Sequence, residues 1–451
     1  MFPTLRFYSL LVLVGAIATG LAAFYQTSGA LGLWVLSIML AGDVGLIALA
    51  LWDGIRAKQQ RCTVTRNPLE RLSIGRDNAV TLVVQPSPKA GMAPKTVQIH
   101  DAYPSELAGT EMPLQTILTG HEPQTLTYTV HPDQRGEVTW GAIYLRQRGP
   151  WKLAWHQWTI PQPETTAVYP DLVGLRSLAV RLALQASGLM RQRRRMSAGT
   201  EFAELRDYAM GDDPRLIDWK ATARVGQPLV KVMEPEQEQT LIVLLDRGRL
   251  MTAQVAGLSR FDWGLNAALA LALAGIRRGD RVGMGVFDTQ VHAWIPPNRG
   301  QQQLNQMINR LMPIQPALLE SDYLSAISML VTQQHRRALV VMLTDIVDAT
   351  ASAELLSALA RLRPRYLPLC VALGDPYIQQ QSEVAVLAQP VSEQAVQSAY
   401  TRAVALDLLN QRQVAFAKLR QKGVMVLDAP VDAISERLVD QYLQIKAKNQ
   451  I

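Results

Sequence analysis

Thr240-Leu241-Ile242-Val243-Leu244-Leu245-Asp246 is an unbroken apolar run that ends in a carboxylate. A strand with one wet face alternates apolar and polar residues, whereas a strand covered on both faces reads as a continuous apolar run. This stretch therefore predicts a central strand of a doubly covered sheet. Outward from it, helical periodicity over about residues 260–277 is followed by a strand at 281–287, its hairpin partner at 291–295, and helices at about 301–311 and 323–334. A strand at 338–343 runs into Thr344-Asp345. A helix at 352–362, a strand at 367–373, a long helix at about 392–422, a strand at 424–427 and a helix at 432–446 complete the alternation. Apolar strands alternating with helices predict an α/β doubly wound, mainly parallel sheet over residues 238–451.

In such a sheet, ligands bind beyond the carboxyl ends of the strands. Asp246 and Asp345 stand at two of those ends, and Ser321 opens Glu320-Ser321-Asp322-Tyr323. The layout resembles the von Willebrand factor A domain, whose Asp-x-Ser-x-Ser motif holds Mg²⁺ together with a distant Thr and a distant Asp. Here the motif reads Asp246-Arg247-Gly248-Arg249-Leu250, so Gly248 and Leu250 replace both serines. The resemblance implies a degenerate metal site made of Asp246, Ser321 and Asp345. Mg²⁺ demands near-octahedral oxygen ligands at about 2.0–2.1 Å, and the missing hydroxyls weaken any such site. Arg247 and Arg249 are expected to occupy the carboxylates in its place. No cofactor is expected; weakly held Mg²⁺ is the alternative. No P-loop, nucleophile elbow or His-Glu-x-x-His run is present in the sequence, and a non-enzyme is expected.

The N-terminal region differs in kind. Residues 7–24 are uncharged and apolar, and so are residues 31–52 apart from Asp43. A helix crosses a hydrocarbon core of about 30 Å in roughly 20 residues, so residues 1–60 predict a two-helix transmembrane hairpin. Arg6 precedes it, and Arg56, Lys58, Arg61 and Arg66 follow it. By the positive-inside rule both termini are expected on the cytoplasmic side of a bacterial inner membrane. A cleaved signal peptide around Ala22-Ala23 is the rival, and the second apolar run argues against it. Asp43 is either a polar contact to another helix or a carboxyl bonded to Ser9, Thr19 or backbone.

Residues 61–170 carry short β-rich runs at 79–84, 96–100, 125–130 and 142–146, separated by Pro, Gly and Asp. This spacing predicts an antiparallel β-sandwich, with Trp140, Trp151, Trp155 and Trp158 as core and edge packing, a ligand platform being the alternative. Cys62 and Cys370 are too isolated for a disulfide framework or a zinc site and read as reduced structural thiols. The net charge of +7 is partly concentrated in Arg191-Gln192-Arg193-Arg194-Arg195, after an expected helix at 172–190. Beside a membrane anchor, that run suits anionic lipid or an acidic protein rather than nucleic acid.

Residues 171–237 contain the most distinctive block. It runs Gly199-Thr200-Glu201-Phe202-Ala203-Glu204-Leu205-Arg206-Asp207-Tyr208, then Gly211-Asp212-Asp213-Pro214-Arg215-Leu216-Ile217-Asp218-Trp219-Lys220-Ala221-Thr222-Ala223-Arg224. This resembles the signature of the domain of unknown function fifty-eight family. The family's layout is similar throughout: two spans, a β-rich region with an Arg-Gly step (here Arg135-Gly136), the signature, then a von Willebrand A-like domain. The resemblance implies a protein partner, a MoxR-type AAA+ ATPase or its client. It also implies a membrane-tethered, non-enzymatic adaptor, the alternative being a metal-dependent adhesion module or enzyme. Within the block, Glu201, Phe202, Arg206, Tyr208, Asp212, Arg215, Asp218, Trp219 and Arg224 are the candidate partner-binding residues. The same mixture of acids, bases and rings also suits an ion-paired cap on the A-like domain, and both readings stand.

Overall fold

The computed structural model describes residues 2–24, 29–69, 71–88, 94–171, 174–175, 177–181, 201–234, 239–347, 352–383 and 393–448. The chain divides into two units, Met1–Val168 and Tyr169–Ile451. The arginine run 191–195 and most of the helix expected at 172–190 lie outside the described residues.

In chain order the first unit has β1 (Phe2–Pro3), α1 (Leu5–Phe24), α2 (Gly29–Gln59), β2 (Thr63–Arg66), β3 (Leu72–Ser73), β4 (Asn78–Gln85), β5 (Lys95–Asp101) and β6 (Ala108–Gly109). It continues with β7 (Leu114–Leu118), β8 (Gln124–His131), β9 (Gly136–Trp140), β10 (Ile143–Arg148), β11 (Ala154–Ile160) and β12 (Glu164–Tyr169). Two larger sheets, β1-β11-β10-β5-β7 and β2-β4-β8-β6, are antiparallel, and β3-β12-β9 forms a third. Alternation fixes their inner faces: Val80, Leu82 and Val84 of β4 are buried, as are Val97 and Ile99 of β5. The four strands expected from sequence are β4, β5, β8 and β10.

A buried polar chain joins the two larger sheets. The Arg66 guanidinium donates to Asp101, through Nε at 3.0 Å and through Nη2. The Tyr128 hydroxyl donates to the same carboxylate at 2.6 Å, and the Trp140 indole N–H donates to Tyr128 at 3.0 Å. Arg66 is thus inside the sandwich and not part of the basic flank after α2. Arg61 is likewise engaged, donating through Nε to His156 at 2.9 Å. Trp140 is fully buried, whereas Trp151 is half exposed.

Among the described residues one stretch, Ser37–Gln59 within α2, is long and apolar enough to cross a membrane. The described apolar part of α1, Leu5–Ile17, is shorter. The two helices touch: a Cβ on Gly42 would stand 3.5 Å from Val14 Cγ1. Ser9 and Thr19 bond carbonyls of their own helix, and among the described residues Asp43 Oδ1 has no hydrogen-bond partner. The helix does not stop at Trp52. It continues so that buried Asp53 accepts the backbone N–H groups of Trp151, Leu153 and Ala154, at 2.8, 2.9 and 3.1 Å. Gly149 is required beside it, since a Cβ there would overlap the Asp53 carboxylate.

In chain order the second unit has β13 (Glu201–Asp207), α3 (Trp219–Val225), β14 (Leu229–Glu234), β15 (Thr240–Asp246), β16 (Gln254–Val255), β17 (Leu258–Ser259), α4 (Arg260–Arg277), β18 (Arg281–Phe287) and β19 (Val291–Asn298). There follow α5 (Gln301–Leu311), α6 (Tyr323–Gln333), β20 (Leu339–Thr344), α7 (Ala353–Arg361), β21 (Leu367–Gly374), α8 (Pro376–Glu383), α9 (Glu393–Gln421), β22 (Met425–Pro430) and α10 (Ile434–Ala447). The main sheet has the order β19-β18-β15-β20-β21-β22. All its neighbours are parallel except β19, which pairs antiparallel with β18. Every residue of β15 is buried. Leu241, Val243 and Leu245 join α4, α5 and α10 in one core, and Ile242 and Leu244 join α6, α7 and α9 in the other. The apolar run Thr240–Asp246 is therefore the middle of a doubly wound sheet. The chain leaves β15 to wind first one way and then the other, so β15 and β20 flank the switch point where such sheets place ligands.

Candidate functional site

Asp246 ends β15 and is fully buried. Both of its oxygens are taken. Oδ1 accepts from Ser321 Oγ at 2.5 Å and from the Gly248 N–H at 2.8 Å. Oδ2 accepts from Thr344 Oγ1 at 2.7 Å and from the Tyr323 hydroxyl at 3.0 Å. Burial pushes the Asp246 carboxyl above the usual range, while Ser321, Thr344, Gly248 and Tyr323 pull it back. Burial, then the charge of Asp246, pushes the Tyr323 phenol up.

Asp345, one residue past β20, does not join this cluster. Its Oδ2 lies 2.7 Å from Arg260 Nη1, and its Oδ1 accepts from Arg412 Nη1 at 2.8 Å and from the Ile346 N–H at 2.8 Å. Arg260 also approaches Asp375 at 3.6 Å, and Arg412 bonds Asp428 at 3.1 Å. Asp246 and Ser321 are joined by a hydrogen bond, whereas Asp345 is tied to two guanidinium groups. The arginines beside Asp246 do something other than expected. Arg247 lies 3.0 Å from Asp288 and Arg249 lies 3.1 Å from Glu320, so neither occupies Asp246 or Asp345. Asp288 is buried close to its partner and draws Arg247 away.

Mg²⁺ does not fit this arrangement. The ion would need the Asp246 oxygens that four donors already fill, and Asp345 carries two cations. Gly248 and Leu250 offer no hydroxyl. Among the described residues no group of three or more His, Cys, Asp and Glu side chains is arranged to hold a metal.

A cavity of about 390 Å³ opens at the carboxyl ends of β20, β21 and β22. Arg260, Arg412 and Arg437 line it with Asp345, Asp375 and Asp428, over an apolar floor that includes Ile378 and Leu408. Arg260 Nε and Arg412 Nε are buried without a hydrogen-bond partner among the described residues. Among the described residues that line it, no nucleophile is paired with a base. Arg260, Tyr323, Thr344 and Arg412 escaped the sequence reading. Thr344 and Tyr323 stood beside residues already singled out; Arg412 sits in mid-helix with no local signal.

The signature block forms an arm. Strands β13 and β14 pair antiparallel, with α3 between them. Asp213 caps a single 3₁₀ turn at Pro214–Leu216. Asp218 caps α3, accepting from the N–H groups of Lys220 and Ala221, and pairs with Lys231 at 3.2 Å. Arg206 clasps Asp212 with both terminal nitrogens, at 2.8 and 2.5 Å. That hydrogen bond holds the Asp212 carboxyl below its usual range. Gly226 closes α3 in the left-handed conformation, φ 77°. Neither the 3₁₀ turn nor α3 buries any residue. Trp219 is 69% exposed, Met210 fully exposed and Tyr208 38% exposed. Arg215 and Arg224 are exposed as well. Glu201 and Phe202 lie on β13, with side chains outside the described residues. The ion pairs thus shape the arm itself, while Trp219 and Tyr208 are exposed.

Fold and site define an α/β doubly wound domain in which Asp246, at the switch point, is held by four internal hydrogen bonds, in a chain that also carries an apolar helix of membrane-spanning length. Residues 204–399 match the family model described as "Protein of unknown function DUF58", and the chain carries that family's region, as the resemblance of the Gly199–Arg224 block implied. A curated relative, "Uncharacterized protein Rv1480" of Mycobacterium tuberculosis (strain ATCC 25618 / H37Rv), is 28% identical over 180 residues, which is 40% of this chain and 56% of the relative. The chain thus spans about half the length of the curated relatives it matches. Among solved structures, an aerotolerance-related membrane protein from Bacteroides fragilis NCTC 9343 is 13% identical, with 47% of this chain and 99% of that chain covered and a TM-score of 0.30. The conserved hypothetical protein BatB from Bacteroides thetaiotaomicron is 14% identical, with 47% and 99% covered and a TM-score of 0.27.

Proposed function

We propose that this chain is a membrane-tethered, non-enzymatic adaptor, and that the arm built from β13, α3 and β14 is where its protein partner docks. Trp219 carries the proposal: a large ring 69% exposed on a helix whose start and end are both capped. Rigid aromatic anchors beside charged groups are what interface hot spots are made of. Stability alone is a weak reason for the block's charges, since exposed pairs contribute about 0–1 kcal/mol each. The resemblance directs the partner class to a MoxR-type AAA+ ATPase or its client.

The tether is α2, with α1 as a second span. Two observations support the hairpin. Phe2–Pro3 pairs with Ala154 and Trp155 of β11, and Asp53 of α2 bonds the turn just before them. The N-terminal side of α1 and the C-terminal side of α2 therefore meet one β-turn. Arg6, Arg56 and Lys58 collect at the near end, as the positive-inside rule asks of a cytoplasmic side.

The test is capture of a purified MoxR-type ATPase from the same cell by the detergent-solubilised full chain, in ATP, in ADP and without nucleotide. Nucleotide-dependent capture, lost in Trp219→Ala with Tyr208→Ala and kept in Asp246→Asn, is expected. No capture in any nucleotide state sinks the partner assignment. Capture that requires Mg²⁺ and disappears in Asp246→Asn replaces it with metal-dependent adhesion.

A further inference from the structure

Four aromatic rings of the first unit are left exposed at one end of the helix pair. Phe2, Tyr8, Trp52 and Trp151 are 55%, 53%, 41% and 49% exposed. They come from β1, α1, α2 and the β10–β11 turn, and hydrogen bonds gather them. The Thr4 N–H donates to the Leu153 carbonyl at 2.9 Å, and Thr4 Oγ1 donates to the Lys152 carbonyl at 2.6 Å. Trp52 and Trp151 lie with ring centroids 4.8 Å apart.

Basic side chains lie among the rings. The Arg56 guanidinium stands 4.8 Å over the Trp52 ring, and that of Arg146 stands 5.9 Å from the Phe2 ring. Arg6, Lys58 and Lys152 are exposed. Asp53, between Trp52 and Arg56, is buried and spends its carboxylate on three backbone N–H groups, while the exposed Arg6, Arg56, Lys58 and Lys152 are positive. Buried His156 feels the same field, its imidazole lowered to about 4 by burial and then by cations that include Arg61 and Lys58.

Position along α2 matters as much as composition. The apolar run from Leu31 ends at Trp52, about the 20 residues that cross a core of roughly 30 Å. Trp and Tyr rings settle where hydrocarbon gives way to headgroups. Lys and Arg side chains held near an anionic surface are drawn to it. Because Asp53 grips the N–H groups of Trp151, Leu153 and Ala154, the turn is fixed in place before any lipid arrives.

We propose that the β10–β11 turn, with Trp52 and Tyr8, forms a preorganised girdle at lipid-headgroup level, where Arg56, Lys58 and Lys152 bind the phosphates of anionic lipids. This rests on the membrane-tether half of the proposed function. The ligand is a bilayer surface: the rings continue directly from the apolar helix, and a soluble phosphate would leave them in water.

The test uses the full chain in nanodiscs of phosphatidylcholine, with or without phosphatidylglycerol. The lipids are brominated either next to the headgroup or near the chain terminus. The contribution of each indole is the difference between wild type and Trp52→Phe or Trp151→Phe. Rings at headgroup level should be quenched roughly two-fold more by the shallow bromines than by the deep ones. Phosphatidylglycerol should increase that quenching, and Arg56→Gln with Lys152→Gln should abolish the increase. Indoles untouched by either bromine position, or quenched mainly by the deep one, overturn the girdle. Quenching indifferent to phosphatidylglycerol overturns the anionic preference. A chain that fails to enter nanodiscs at all overturns the tether itself, which separates that failure from the others.

Discussion

Gly248 and Ser321 share one volume: a Cβ at position 248 would overlap the Ser321 Oγ and stand 2.8 Å from the Leu319 carbonyl oxygen. A serine at 248, as the intact metal motif would have, cannot simply be added. Gly248→Ser should expel Ser321 from Asp246 and press on the Leu319 backbone. Overpacking of this kind costs about 1–3 kcal/mol. The expected outcome is a lower thermal midpoint for the second unit. Millimolar Mg²⁺ should leave the midpoints of both wild type and variant unchanged; a Mg²⁺-dependent rise in wild type would show that the Asp246 cluster does take the ion.

Removing Arg412 should be costly although it touches no expected partner. Its side chain is 12% exposed and bridges Asp345 to Asp428. Breaking a buried pair by deleting one partner costs about 3–5 kcal/mol, and Arg260 remains on Asp345 to soften it. Arg412→Ala should therefore lose about 3 kcal/mol in urea unfolding of the second unit. A double-mutant cycle with Asp345→Asn should return a coupling well above the experimental error; strict additivity would show the pair to be idle.

Trp219→Ala should behave in the opposite way. With no buried residue in α3, truncation should change the melt by no more than about 0.5 kcal/mol, the range of ordinary surface substitutions. The same variant should lose partner capture. A large destabilisation would instead mark Trp219 as a packing residue.

The first unit should weaken in mild acid. The folded state lowers the His156 imidazole from its ordinary 6.5 to about 4, so between those values the unfolded chain binds a proton that the folded chain refuses. Stability is then complete above pH 6.5 and falls as pH drops toward about 4. Hydrogen exchange across residues 143–160, corrected for intrinsic rates, should show progressive loss of protection over that window. His156→Gln should flatten it.

Both thiols should be silent in the native protein. Burial pushes Cys62 and Cys370 up to about 12, and the thiolate is the reactive form. Iodoacetamide at neutral pH should label neither until the chain is unfolded, as mass spectrometry can read; labelling of the native chain would contradict their burial.

What could be read from sequence was what the backbone states locally. The apolar run ending at Asp246 announced both the central strand and the carboxylate at its tip, because continuous burial and strand termination leave marks within a few residues. Arg412 left none: its bond to Asp345 spans 67 positions, and a polar residue in mid-helix looks like any solvated one. Asp53 was hidden in the same manner. Nothing in Trp52-Asp53-Gly54 reveals a carboxylate reserved for a turn about a hundred residues later. Arg66 misled for the converse reason, since proximity to an apolar run says nothing about which way a strand will turn a guanidinium. The arm was visible as a peculiar composition but not as a hairpin, because β13 carries four charges in seven residues and shows no strand periodicity.

The grip of Asp53 and Thr4 on one turn has a mechanical side. A helix longer or shorter than the local bilayer is thick responds by tilting. With α2 and the segment leading into α1 both fastened to the β10–β11 turn, no free joint lies between helix and sandwich to absorb that tilt. Under the proposed tether the sandwich would lean with α2, so that bilayer thickness would set the angle of a protein surface.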